Sequence, residues 1–199
     1  MRRLRLIALF IGTAGMGLSA QNGISGIEAD LSGSGLIPIS WARDSPTLPH
    51  LGYDVIVGLE YDTPFSLPLR IEAGYLNVRA SDISPSGELY RAWEGMRFAL
   101  LSGYIFELGT IGQLGLLQLS ALGGAAITAA DYTGTALAYA YPSAILEPRL
   151  CLILTAARGS STATGPWLAL PFELMFRAGT YSFSPGLSLG WSYRLGGWE

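Results

Sequence analysis

The sequence predicts an all-β fold: a transmembrane antiparallel up-and-down β-barrel of eight strands, preceded by a cleavable signal peptide. Three observations carry that expectation. Segments in which apolar and polar residues alternate succeed one another from residue 24 to the end, and a period of two is that of an extended chain. The charges in those segments share one parity. Charge is also scarce, at 14% of 199 residues against 50% hydrophobic, where an average soluble domain carries about 25%. A soluble sandwich would have too few charges to build its exterior.

The elements follow in order. "MRRLRLIALFIGTAGMGLSAQNG" has a basic start (Arg2, Arg3, Arg5) and an apolar stretch from Leu6 to Leu18, with Ala20 as the cleavage point. Residues 1–20 read as a secretory signal, too short to span a bilayer comfortably as a helix. Residues 21–199 then form one barrel domain. Removing three arginines leaves 9 basic against 15 acidic residues, a balance of −6. With no lysine and net negative charge, a nucleic-acid partner is not expected.

Eight segments read as strands. In 24–32, Ile27, Ala29 and Leu31 oppose Glu28 and Asp30. "GYDVIVGLEYD" (52–62) sets Tyr53, Val55, Val57, Leu59 and Tyr61 against Asp54, Glu60 and Asp62. "LRIEAGYLNVR" (69–79) sets Leu69, Ile71, Ala73 and Tyr75 against Arg70 and Glu72. In 95–106, Met96, Phe98, Leu100, Tyr104 and Phe106 oppose Arg97. Residues 113–128 alternate poorly, and are assigned as strand because Gly and Ala break up their helical propensity. In 144–156, Leu146, Leu150, Leu152 and Leu154 oppose Glu147 and Arg149. In 166–178, Leu168, Leu170, Phe172, Leu174 and Phe176 oppose Glu173 and Arg177. In 184–195, Leu187, Leu189, Trp191 and Tyr193 oppose Ser188, Ser192 and Arg194. Pro148 and Pro171 each remove a ladder donor, so irregular pairing or later strand starts are expected there.

The connections 33–50, 79–94 and 129–143 are long, and 63–68 and 107–112 short. Such alternation fits long loops at one end of a barrel and tight turns at the other. The pattern slips at 157–165 and 179–183. With eight strands, both termini fall on the short-turn side.

Charge placement decides which face meets water. Glu28, Asp30, Asp54, Glu60, Asp62, Arg70, Glu72, Arg97, Glu147, Arg149, Glu173, Arg177 and Arg194 all lie on the minority parity. That face must be wet or internally paired. Tyr53 and Tyr61 share the other face eight residues apart, roughly 26 Å along a strand. Tilted, that spans close to the height of the apolar band between aromatic girdles. Tyr75, Tyr104, Phe106, Trp191 and Tyr193 complete the expected girdle. The oily face meets lipid, and the charges form an Arg–carboxylate lattice filling a narrow lumen.

Together the signal, the eight amphipathic segments and the connections resemble the small eight-stranded outer-membrane β-barrel family over the whole chain. The last strand, "SLGWSYRL", is similar to that family's terminal assembly signal through Ser188, Gly190, Tyr193 and Leu195. The family usually ends in an aromatic residue, whereas this chain continues with "GGWE". The resemblance implies a bacterial outer-membrane location, with membrane lipids and the barrel assembly machinery as partners.

Chemistry is sparse. A hydrolytic site needs a base beside a nucleophile, and the one histidine, His50, has no nucleophile two residues away. One His and one Cys give no metal-ligand spacing, Cys151 reads as a small lumen residue without a disulfide partner, and no cofactor is expected. A non-enzymatic envelope barrel is the first reading. Its runner-up is a small channel for small or hydrophobic solutes, and a lipid-modifying barrel enzyme comes third. Trp41, His50 and Tyr90 are the loop side chains placed to meet an extracellular ligand.

Overall fold

A computed structural model describes residues 26–42, 45–46, 51–63, 67–79, 93–111, 115–132, 138–155, 162–177 and 180–195. Its strands are β1 (Ile27–Leu36), β2 (Ile39–Ala42), β3 (Ser45–Pro46), β4 (Leu51–Asp62), β5 (Pro68–Arg79), β6 (Trp93–Ile111), β7 (Gly115–Tyr132), β8 (Ala138–Thr155), β9 (Thr162–Ala169), β10 (Phe172–Arg177) and β11 (Thr180–Leu195). All pairings are antiparallel, and β1 pairs with both β4 and β11, which closes the sheet.

Eleven strands make eight staves. β1 and β2 meet β11 in one unbroken register, Leu36 opposite Gly186 and Ile39 opposite Phe183. β9 and β10 likewise share one register against β11, Ala169 opposite Ser188 and Phe172 opposite Pro185. Each of these pairs is a single stave with a break in it. Among the described residues β3 pairs with β2, within one residue of the register in which β1 meets β4, so β3 and β4 belong to one stave.

The stagger follows from the registers. Stepping across the rungs from Ile27 leads through Tyr61, Leu69, Ser102, Gly123, Leu146, Phe172 and Pro185 to Ile37. The walk returns to its own stave ten residues further on, so the strands must tilt. Eight tilted staves enclose an interior just wide enough for side chains.

Period-two geometry then sorts the residues. On β1 exposure alternates without a break, with Ile27 and Leu31 outside and Glu28 and Asp30 buried. Val55, Val57 and Leu59 of β4, Phe98 and Leu100 of β6, and Leu187 and Leu189 of β11 all face outward, each about half exposed. An exterior this apolar is stable only against hydrocarbon.

The inside face is not uniformly polar. Near the end where β1 begins and β11 stops, the terminal end, Leu116, Ile153 and Ala163 form a buried cluster against Cys151. At the opposite end Leu36, Leu76, Val78, Ala130 and Met175 form another, packed against Tyr141. The charges lie between these apolar layers.

Several boundaries differ from expectation. Much of 33–50 is strand, because β1 continues to Leu36 and β2 to Ala42; β7 and β8 likewise claim the ends of 129–143, and β6 runs to Ile111. β9 begins inside 157–165 and β11 inside 179–183. The physical reason is visible on β1, where Ser32 and Ser34 point inward while Gly33 and Gly35 point outward. Backbone ladders to two neighbours hold that stretch in the sheet, so it needs no hydrophobic contrast. Pro148 leaves β8 unbroken, whereas Pro171 sits in the gap between β9 and β10.

Candidate functional site

The lumen is the one place where the described chemistry converges, and it is built around four arginines. Arg70 and Glu72 are successive inward positions of β5. The Arg70 guanidinium donates to both carboxylate oxygens of Asp30, through Nη1 to Oδ2 and through Nη2 to Oδ1 at 2.9 Å. Its Nε donates to Glu72 Oε1 at 2.7 Å, and Nη1 lies 3.9 Å from Glu60 Oε2. Arg70 and Asp30 are wholly buried.

Gly58 makes that geometry available. Asp30, Gly58 and Glu72 share one rung across β1, β4 and β5. A Cβ at residue 58 would overlap the Arg70 guanidinium. The arginine therefore lies flat across β4 to reach an acid two staves away.

Arg97 of β6 works across the lumen. Its Nη1 donates to Glu173 Oε2 of β10 at 3.2 Å, and its Nη2 to Glu72 Oε2 at 3.4 Å. Asp54 Oδ2 lies 3.6 Å from the same Nη1. Ser143 donates to the other oxygen of Glu173 at 2.5 Å. Arg149 of β8 donates to Glu147 Oε1 from Nη2 at 2.6 Å and from Nε at 3.2 Å. Its guanidinium stacks over the Trp167 ring, 4.0 Å from the centroid. Arg194 closes the terminal end, with Nε 3.2 Å and Nη2 3.0 Å from Glu28 Oε2. Among the described residues the buried inward charges are seven carboxylates and four guanidiniums.

Glu28, Asp30, Asp54, Glu60, Arg70, Glu72, Arg97, Glu147, Arg149, Glu173 and Arg194 are thus all buried on the inner face. The side chains of Asp62 and Arg177 lie outside the described residues, as do those of Trp41, His50 and Tyr90 and the whole of 1–20. On the outside, Tyr61, Trp191 and Tyr193 stand near the terminal end, and Tyr53 and Tyr75 near the other. Phe106 is exposed and Tyr104 half-buried. Tyr75 donates to Glu94 at 2.5 Å, and Trp191 Nε1 to Thr164 Oγ1 at 2.6 Å. Such rings join an apolar body to a wet tip.

Of the C-terminal quartet, Ser188 is buried and shares a 2.5 Å hydrogen bond with Ser34, and Gly190 packs on Trp167. Tyr193 and Leu195 face outward.

Sequence reasoning did not single out Gly58 or Trp167, and it placed Gly190 in the C-terminal motif without its contact to Trp167. Trp167 does share the inward parity of Glu173, which is a usable signal. Nothing in the sequence distinguishes Gly58 from the glycines that serve turns.

Neisserial surface protein A superposes on the chain with a TM-score of 0.54, at 11% identity over 87% of this chain and 98% of that one. The fold is that of the small outer-membrane β-barrels. Outer membrane protein OprG of Pseudomonas aeruginosa (TM-score 0.44, 10% identity, 90% of this chain and 99% of that one) is also similar. So is the attachment invasion locus protein Ail of Yersinia pestis (0.43, 12%, 86% and 99%). No protein-family model matches the chain, and no curated protein matches it either.

Proposed function

We propose that the protein is a non-enzymatic integral barrel of the bacterial outer membrane, closed along its axis, that contributes to envelope structure and presents its loops outside. One observation carries this reading: four buried guanidiniums each engage carboxylates inside the wall, between apolar layers at either end. Breaking such a pair leaves a buried charge uncompensated, so the lattice is a filling and a brace. The lipids of that membrane and its assembly machinery are the expected partners.

A second reading, a narrow pore for small cations, is favoured by the excess of seven carboxylates over four guanidiniums. Conductance of the refolded protein in a planar bilayer separates the two. Near-zero conductance is expected, and a large, steady current would overturn the closed reading. Folded and boiled samples should also migrate differently on a detergent gel.

A further inference from the structure

Inside the seam that closes the barrel, where β1 meets β11, the inward residues are short. β11 turns Gly186, Ser188 and Gly190 inward in succession, and their partners on β1 are Leu36, Ser34 and Ser32. Both glycines are covered. A Cβ at Gly186 would lie 2.7 Å from Leu36 Cδ2, and one at Gly190 would lie 2.7 Å from Trp167 Nε1. Leu36 toward the loop end and the Trp167 indole toward the terminal end thus cap a small chamber. Its walls carry oxygen: Ser32, the hydrogen-bonded pair Ser34 and Ser188, and Asp54, which faces Ser34 from β4.

Four polar atoms of this chamber have no hydrogen-bond partner in the protein. They are Ser32 Oγ, both carboxylate oxygens of Asp54, and Trp167 Nε1, on residues no more than 4% exposed. Polar groups shut away from bulk solvent are destabilising unless something bonds them. Their placement shows what that is. Trp167 Nε1 lies over Gly190, whose ladder partner is Ser32, and paired Cα atoms stand about 4.5–5.5 Å apart. The indole N–H and the Ser32 hydroxyl are therefore neighbours that do not bond each other, with a gap one small molecule can bridge. Asp54 lies one inward position further along, across from Ser34. An indole N–H only donates and a carboxylate only accepts, so the occupant must do both. A bare cation would suit Asp54 but not the indole N–H, and the Arg97 guanidinium, 3.6 Å from Asp54 Oδ2, repels it as well. Water suits every group, and buried water typically has about two to four such partners.

We infer that this chamber is a binding site for a small cluster of resident water on the inner face of the closing seam. Hydrogen bonds run one way through it. Trp167 N–H donates to a first water, that water to Ser32 Oγ, the Ser32 hydroxyl to a second water, and the second water to Asp54. The cluster ties β9, β1 and β4 together across the rungs where the first stave meets the last. It rests on the closed lumen proposed above, and it makes part of the filling of that lumen hydrogen-bonded water rather than side chains alone.

Nuclear magnetic resonance of the refolded protein in lipid nanodiscs, with nitrogen-15 in the indoles, tests this. The Trp167 Nε1–H signal is assigned by elimination, from the single changes Trp41→Phe, Trp93→Phe, Trp191→Phe and Trp198→Phe. It should show a cross-peak to water whose laboratory-frame and rotating-frame Overhauser effects differ in sign, the mark of a bound molecule rather than of proton exchange. Ser32→Val fills the chamber with methyl groups and should abolish that cross-peak; its survival would remove Ser32 from the site. The unaltered protein decides alone if that variant does not refold to the heat-modifiable form. Absence of the cross-peak would overturn the water site, and planar-bilayer current then tells an open lumen from a dry one. A Trp167 signal that moves when sodium chloride is exchanged for tetramethylammonium chloride would give the chamber to a metal cation instead.

Discussion

β4 and β5 face each other over twelve consecutive pairs, from Leu51–Arg79 to Asp62–Pro68, without an interruption. The wall across the lumen, from β8 through β9–β10 and β11 to β1–β2, is crossed by three one-sided rungs in neighbouring interfaces. There Leu170, Gly186 and Ile37 donate to the carbonyls of Pro148, Pro171 and Pro185, and proline has no N–H to return the bond. Both walls face hydrocarbon and both turn charge inward, yet they are held in different ways. The β4–β5 wall is fixed by its ladder, and its inward charges Asp54, Glu60, Arg70 and Glu72 sit on that fixed frame. The proline wall gives up ladder bonds where water cannot replace them, and it is tied to the frame by side chains that reach across the interior. The lattice is therefore structural in an asymmetric sense: it braces the weak wall against the strong one.

The largest expected effect comes from removing the centre of that brace. Arg70→Ala strands Asp30, Glu72 and Glu60 without their shared cation, and should destabilise the barrel by about 3–5 kcal/mol. Urea unfolding in lipid vesicles, followed by heat-modifiability, measures it. Next comes the outer surface. Val57→Arg places a charge near the middle of the apolar band of β4 and should cost about 2–4 kcal/mol. If it unfolds the barrel no more easily than a change in the exposed turns does, the lipid-facing assignment is wrong.

A smaller change sharpens the account of the frame. Gly58→Ala drives a methyl group into the Arg70 guanidinium and should cost about 1–3 kcal/mol. Because the clash needs both residues, the same change should be nearly silent in an Arg70→Ala background. Additive effects in a double-mutant cycle would break that link. Topology can be read without perturbing stability, in a Cys151→Ser background. A cysteine at Ser86 should react on intact cells with an impermeant thiol reagent, and one at Ser66 only after the outer membrane is opened. The reverse labelling would invert the barrel.

The regular wall is the part a reader of the sequence sees. "GYDVIVGLEYD" names its own outside and inside, because large apolar and charged residues alternate without a lapse. The prolines were visible too, but only as separate objections to two strands. That they form one line depends on the ten-residue stagger, and stagger is set by rungs between segments far apart in the chain. The same holds for Arg97 and Glu173, which are 76 residues apart and meet only because of the register. The upper half of the first stave was illegible for another reason. Its Gly and Ser alternate in direction but not in hydrophobicity, so periodicity has nothing to detect.

Trp167 has a use that its packing makes available. It lies in the lumen, under the Arg149 guanidinium and against Gly190, whereas Trp191 stands at the outer surface, more than half exposed. Two of the chain's five indoles thus stand on opposite sides of one wall. A quencher dissolved in the acyl chains should dim Trp191 and spare Trp167, and an aqueous quencher should reach Trp167 only as fast as water and ions enter the interior. With Trp41, Trp93, Trp191 and Trp198 replaced by phenylalanine, the emission of Trp167 becomes an optical gauge of how tightly the barrel is filled, read in the intact membrane without any added label.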